Sequence, residues 1–330
     1  MPSPSPREGE RAKPFGGARA VEAMALGVGA SLFFAFTFVL NRQMNLAGGS
    51  WIWSACLRYA FMLPILLALT AARGELRELG AAIRARPLGW LGWSTIGFGL
   101  FYSFLCAAST FGPSWLIAAT WQVTIVAGVL LSPLFYDRIP EAGGFRLVRH
   151  RIPLRSLATA SAILAGILLM QIRESQLMSP LAVLACIGLV LVAAFSYPLG
   201  NRKMMELCGP DVSTMQRVCG MTICSMPFWI ALGAVGIVKD GPPGTGQILQ
   251  SLLVALFSGV IATILFFKAT DLVRGDMRGL AAVESTQSGE VVFTLAFGVL
   301  VFGDRAPAPL ALAGIAVVVL GMVANAAAGK

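Results

Sequence analysis

The sequence is short of charge and nearly without histidine. Of 330 residues only 12% are Asp, Glu, Lys or Arg, about half of the ~25% usual in soluble domains, which excludes an ordinary water-soluble fold. The one histidine, His150, lies in the basic stretch GGFRLVRHRIPLR, so a histidine-based triad or a His-rich zinc site is excluded. Cys56, Cys106, Cys186, Cys208, Cys219 and Cys224 form no CxxC pair and read as small apolar fillers, not disulfides or metal ligands. A nucleotide loop is also missing. Gly241-Pro242-Pro243-Gly244-Thr245-Gly246 copies the front of a phosphate-binding loop, but Gln247 and Ile248 stand where Lys and Ser/Thr are needed. Gly and Pro there make a turn, and no cofactor is expected.

What the chain has is long apolar runs. Hydrophobic residues make up 57% of it, mean hydropathy is +0.77, and runs of 18 or more apolar residues recur, the mark of a polytopic membrane protein. The expected fold class is all-α, with ten transmembrane helices near 22–44, 50–73, 87–109, 113–136, 154–172, 179–204, 213–238, 247–271, 278–302 and 307–328. Residues 1–21, rich in Pro, Gly and charge, are expected to be a disordered cytoplasmic terminus. The apolar run after Glu22 is too long for a signal-peptide core and no small-x-small site ends it, so it is expected to stay as the first span. With the N-terminus inside, 18 of the 25 Lys and Arg fall on the cytoplasmic side, four on the other and three (Arg58, Arg217, Lys268) within spans. That bias places both ends in the cytoplasm of a cell whose inner membrane holds the protein. The net charge of +9 therefore reports topology, with weak attraction to anionic lipid, and not nucleic-acid binding.

The stretch DMRGLAAVESTQSGEVVFTLAFGVLVFGD around the ninth span carries Glu284, Gln287 and Glu290 in its interior. On a helix they step by about 60°, so they form one polar stripe, which Thr294 extends. A carboxylate facing hydrocarbon costs at least ~2.5 kcal/mol, so the stripe faces protein or water. It is either a seam between helices or the lining of a substrate path. Tyr102 and Ser103 on the third span, with Thr120, Trp121, Gln122 and Thr124 on the fourth, add aromatic and hydrogen-bonding groups. Such faces suit organic cations or flat amphipathic solutes. Arg58 and Arg217, about two turns into their spans, are within snorkelling reach of the interface, where carbonyls or lipid phosphates would pair them. Lys268 is expected to snorkel or to pair with Asp271 or Glu284. Trp51, Trp53, Trp90 and Trp93 fit interfacial belts, and small residues in the fifth and tenth spans permit close helix contact.

The chain also repeats itself. Asn41-Arg42 with Met44 returns as Asn201-Arg202 with Met204, an offset of 160; Arg58 returns as Arg217, an offset of 159. Phe135-Tyr136-Asp137-Arg138 returns as Phe302-Gly303-Asp304-Arg305, an offset of 167. Two five-helix halves follow, 22–172 and 173–330. Five being odd, the second half is inverted, the architecture of secondary transporters, with the site near midplane between repeats.

These residues reach a family. The 5+5 layout, with FYDR and FGDR in place of a Gly-Glu-Arg-like ending, resembles the EamA-like drug/metabolite transporter superfamily. SLFFAFTFVLNR, GGSWIWSACLRYAFMLP, YPLGNRKMMELCG and LFFKATDLVRGDMRGLAAVESTQSGE are similar to the branch called putative multidrug resistance efflux transporters. Glu290 stands where that superfamily commonly has a ninth-helix Glu, with Val291 in place of its usual Pro. The resemblance implies a non-enzymatic exporter of small organic solutes, drug-like or cationic and aromatic, working by alternating access and coupled to protons through Glu290 or Glu284. The substrate path is then Glu290, Glu284, Gln287, Thr294, Gln122, Trp121 and Tyr102, while Asn41, Arg58, Asn201 and Arg217 are structural or gating. The alternatives are a metabolite or amino-acid exporter or facilitator, and a membrane sensor or assembly protein; an intramembrane hydrolase lacks a nucleophile–base pair. The expected partners are a small-molecule substrate, protons and membrane lipid. Single cysteines introduced at 45–49 and 241–246 are predicted to react with an impermeant thiol reagent from outside the cell, and those at 139–152 only from inside. External labelling of 139–152 would remove both the topology and the inverted repeat.

Overall fold

The structure, a computed structural model, describes residues 17–112, 114–141, 144–150, 152, 154–171, 179–302 and 309–328. The described chain is mostly helical. Its α-helices are α1 (Gly17–Leu46), α2 (Trp51–Ala72), α3 (Leu76–Ala85), α4 (Pro87–Ser94), α5 (Phe101–Ala108), α6 (Ser114–Trp121), α7 (Val123–Leu130) and α8 (Leu154–Gln171) in the first part. The second part holds α9 (Pro180–Cys208), α10 (Thr214–Asp240), α11 (Thr245–Val254), α12 (Thr263–Leu272), α13 (Met277–Ser285), α14 (Gly289–Phe302) and α15 (Pro309–Ala328). Among the described residues six helical stretches are long and apolar enough to cross a membrane: Ala18–Leu46, Trp51–Ala72, Pro87–Ala108, Pro180–Cys208, Thr214–Asp240 and Thr245–Leu272. Shorter apolar stretches cover Leu116–Leu130 and Leu312–Gly321. The protein is a multi-pass membrane protein. Helix starts at Gly17, inside the stretch expected to be disordered; residues 1–16 and the Gly303-Asp304-Arg305 signature lie outside the described residues.

Several helices are broken where the sequence turns polar. The ninth expected span divides into α13 and α14 at a 3-10 turn, Thr286–Ser288. Here Ser285, Thr286 and Ser288 turn their hydroxyls back onto the carbonyls of Ala282, Val283 and Ser285. Such local bonds compete with the helical ladder. The fourth divides at Gln122, whose amide nitrogen donates to the Ala118 carbonyl at 3.1 Å. The third and eighth stay continuous but pass through π-helical segments, Thr95–Leu100 and Ala255–Ala262. Irregular backbone of this kind is tolerated at membrane depth only where protein or a cavity surrounds it.

One part is not helical, which corrects the all-α expectation. β1 (Tyr136–Glu141) and β2 (Gly144–Arg149) form an antiparallel hairpin with Tyr136 opposite Arg149 and Glu141 opposite Gly144. Two short runs with β-forming residues on either side of a Gly-containing turn explain it. The hairpin marks one end of the molecule; loops 45–49 and 241–246 mark the other, joined by Trp53 donating to the Gly241 carbonyl at 2.8 Å. Gly241 closes α10 with φ of 73°, so the Gly-Pro loop is a turn.

Packing brings distant parts together. α1 runs along α12, α14 and the second π segment, while α9 runs along the first π segment, α5, α6 and α7. α2 lies on α10, and α8 lies on α15, where a Cβ on Gly166 would come 2.9 Å from the Gly314 carbonyl oxygen. One expectation about surfaces is corrected and another narrowed, Lys268 being exposed but paired with neither Asp271 nor Glu284. Trp53 and Trp90 are buried rather than interfacial, the Trp90 indole donating to the Ala82 carbonyl at 3.1 Å; Trp51 and Trp93 remain half-buried. Lys268 pairs with Glu22 at 3.7 Å, because Asp271 and Glu284 are taken by arginines. Gly97 and Gly200 make the closest helix approach: a Cβ on Gly200 would lie 2.2 Å from the Gly97 Cα. Gly200→Ala is predicted to cost about 1–3 kcal/mol of stability by overpacking, read as a lower melting temperature in detergent. Gly92→Ala, with open space around it, should melt like the parent; equal melting of both variants would contradict the close contact.

Candidate functional site: a closed aromatic cavity

At the centre lies a small cavity. Phe34, Thr37 and Phe38 of α1, Arg58 of α2, and Phe101 and Leu105 of α5 line one side; Trp121, Tyr197, Gln287 and Glu290 complete it. It has about 10 Å³ of room, enough for about one water and far below the 300–1,000 Å³ of a ligand site. The cavity is therefore too small for an organic solute, which must widen it to enter. Its walls are a run of touching rings: Phe101 to Tyr197 at 4.6 Å, Phe101 to Trp121 at 5.1 Å, and Tyr197 to Phe266 at 5.8 Å between centroids.

The polar stripe read from the sequence is buried as a whole, yet the break at Thr286–Ser288 divides its tasks. Glu290, 1% exposed, points into the cavity with Gln287. The Trp121 indole is within hydrogen-bond reach of its carboxyl, the Oε2 atom has no hydrogen-bond partner, and among the described residues no cation is within ion-pair distance. Glu284 faces elsewhere. Its carboxylate is held by both arms of the Arg202 guanidinium, at 3.0 and 2.7 Å, and Arg202 also donates to the Gly128 carbonyl. A Cβ on Gly128 would sit 2.1 Å from Glu284 Oε2, so the pair fits because that residue is glycine. Arg202 also lines the recess of about 250 Å³ at the hairpin end, with Phe135, His150 and Arg274. The ion pair thus borders that recess.

Toward the other end the closure holds no ion pair among the described residues, and Arg42 donates to the Ser109 carbonyl at 3.3 Å. Asn41 donates to the Tyr102 hydroxyl at 3.1 Å and accepts from Gln250 at 3.2 Å, and Asn45 bonds Ser109. Beyond lies a recess of about 610 Å³ lined by Asn45, Trp51, Trp53, Lys239 and Gln247.

Of the expected path residues, the structure brings Glu290, Gln287 and Trp121 together around the cavity. Tyr102 lies just behind it, under Arg58. Gln122 and Thr294 are buried outside the lining, with Gln122 Oε1 and Thr294 Oγ1 unpartnered. Asn201 is likewise buried with an unpartnered Oδ1. Arg217 is paired, with Asp271 at 2.6 Å and the Phe267 carbonyl at 3.4 Å. Arg58 corrects the snorkelling expectation: it is 2% exposed and its guanidinium lies 4.0 Å from the Tyr102 ring centre. Sequence reasoning missed Arg202, counted there as a cytoplasmic charge, and the rings of Phe34, Phe38, Phe101 and Tyr197. Thr37 and Tyr197, both lining the cavity, stand 160 apart, the same offset as Asn41 and Asn201, a signal that had been available.

Comparison with known proteins agrees with this architecture. A family model described as putative multidrug resistance efflux transporter matches residues 21–330. The chain is 48% identical over 310 residues to the Bacillus subtilis protein described as uncharacterized protein YjlA, covering 94% of this chain and 96% of that one. It is also 48% identical over 270 residues to an uncharacterized 42.1 kDa protein of Shouchella clausii, covering 82% and 70%. A crystal structure superposes with a TM-score of 0.64 over 92% of this chain and 96% of that chain at 17% identity, a likeness of fold alone. The chain belongs to the family of putative multidrug resistance efflux transporters.

Proposed function

We propose that the protein exports small organic solutes across the inner membrane by alternating access between two inverted five-helix repeats, 22–172 and 173–330, with Glu290 as the group that loads and releases the coupling proton. The observation that carries the reading is the Glu290 carboxyl, enclosed in an aromatic cavity with no cation within ion-pair distance among the described residues. A buried carboxyl in that position must find a partner or hold a proton.

The repeat reading is supported by distortions that recur in step. π-helical segments open at Thr95 and Ala255, breaks fall at Gln122 and Gln287, and prolines interrupt α2 at Pro64 and α10 at Pro227. The partnerships recur too: α1 packs on the eighth and ninth expected spans, α9 on the third and fourth. With the basic hairpin end in the cytoplasm and both termini there, opening inward parts Arg202 from Glu284, and opening outward parts Asn41 from Tyr102 and Gln250. With no nucleotide site, a gradient drives the cycle.

A second reading, export of metabolites, draws on Arg58 in the cavity wall, a cation that a purely cationic drug would meet unfavourably. Uptake into inside-out vesicles across a solute panel, with and without a proton gradient, tests both. Glu290→Gln keeps shape and hydrogen bonding but cannot exchange a proton, so gradient-driven transport should vanish in a protein that still inserts and folds. Full-rate transport with unchanged pH dependence would remove Glu290 from the coupling role. In a background without native cysteines, Gln287→Cys should react with a small charged thiol reagent during turnover. No reaction under any condition would point to a sealed seam instead.

A further inference from the structure

Five Arg, Lys, Asp or Glu side chains are buried among the described residues: Arg58, Arg202, Arg217, Glu284 and Glu290. Arg202 is neutralised by Glu284 at 2.7 Å. Arg217 is neutralised by Asp271 at 2.6 Å, which Arg274 also contacts at 2.7 Å. That leaves one cation and one acid, and both line the same cavity. Arg58 rests on the Tyr102 ring at 4.0 Å, its Nε without a hydrogen-bond partner. No carboxylate is within ion-pair distance of it among the described residues, Glu290 included. Its repeat-related counterpart Arg217 has Asp271; 160 positions earlier than Asp271 the first half carries Phe111. The asymmetry between the two arginines is written in the sequence.

An arginine does not shed its proton in a protein, and an uncompensated buried charge is strongly unfavourable. A cationic solute would leave Arg58 uncompensated and add a second positive charge beside it. An anionic solute would do the same to Glu290 whenever that carboxylate is ionised. A molecule with both charges satisfies both walls. We infer that the cavity binds a small zwitterion with an apolar or aromatic body, its carboxylate on the Arg58 guanidinium and its ammonium on the Glu290 carboxylate. The planar guanidinium accepts a carboxylate in two parallel hydrogen bonds, Gln287 and Thr37 supply neutral hydrogen-bonding groups, and Phe34, Phe38 and Phe101 receive the body. The inference rests on the reading of this cavity as the substrate site.

Three solutes sharing one phenyl ring separate the possibilities: phenylalanine (zwitterion), phenethylammonium (cation) and 3-phenylpropionate (anion). Thermal stabilisation of the wild-type protein in nanodiscs, and protection of Gln287→Cys from a thiol reagent, report their occupancy. Phenylalanine should act at concentrations at least tenfold below either singly charged analogue. Arg58→Gln should erase its advantage over phenethylammonium, and Glu290→Gln its advantage over 3-phenylpropionate. If phenethylammonium binds best and Arg58→Gln tightens it, the zwitterion is overturned while the cavity stands as a substrate site. A preference for 3-phenylpropionate overturns it equally. If none of the three stabilises the wild type or protects position 287, both the zwitterion and the substrate site fall. The wild-type ranking needs no variant to fold.

Discussion

A charge taken out of water inside this protein has three options: pair with an opposite charge, lose its charge, or wait for a ligand. The interior is arranged by that constraint. Arg202 and Glu284 take the first option, in two-armed contact that also fixes α9, α13 and, through the Gly128 carbonyl, α7. Arg217 and Asp271 take it at the start of α10 and the end of α12. Arg58 and Glu290 take neither contact, and the cavity lies at their side chains. The helix breaks fit the same constraint: the Ser285–Ser288 run satisfies its hydroxyls locally and so turns Glu284 and Glu290, six residues apart, to different neighbours.

The two closures differ in kind. On the hairpin side lies a buried ion pair, which the proposed inward opening would part, exposing two charges at once. On the other side hydrogen bonds between neutral groups hold Asn41, Tyr102 and Gln250 together, each worth about 0.5–1.5 kcal/mol net, and among the described residues no ion pair joins them. Water or solute entering from the hairpin side offsets the cost of parting the ion pair by solvating it. The closed cavity, with room for about one water, is the state between the two openings in this account.

Much of this was legible in the sequence, and the remainder fails for definable reasons. Hydropathy located the six long apolar helices among the described residues, and the spacing of Glu284, Gln287 and Glu290 told that they would be buried, because no other placement is tolerable in lipid. Spacing could not tell that the helix would break within the stripe; the run Ser285-Thr286-Gln287-Ser288-Gly289 held that information as competition for carbonyls, not as periodicity. Arg202 was read as a loop charge because a cation near a span end usually reaches water, and only the fold brings Glu284 to it from 82 residues away. Arg58 was read the same way; its burial depends on Tyr102 and on α5 lying against α2. The hairpin was hidden in a stretch whose basic residues spoke of topology first.

Under the proposed mechanism the cavity opens to the two ends in turn. Spin labels at Ala47 and Thr245 report one end and labels at Glu206 and Arg278 the other, all at exposed positions. Distance distributions measured in nanodiscs across pH 5–8 should show two populations at each end, and the pair that widens should do so as the other narrows. A single, pH-independent distance at both ends, or both pairs widening together, would contradict alternating access.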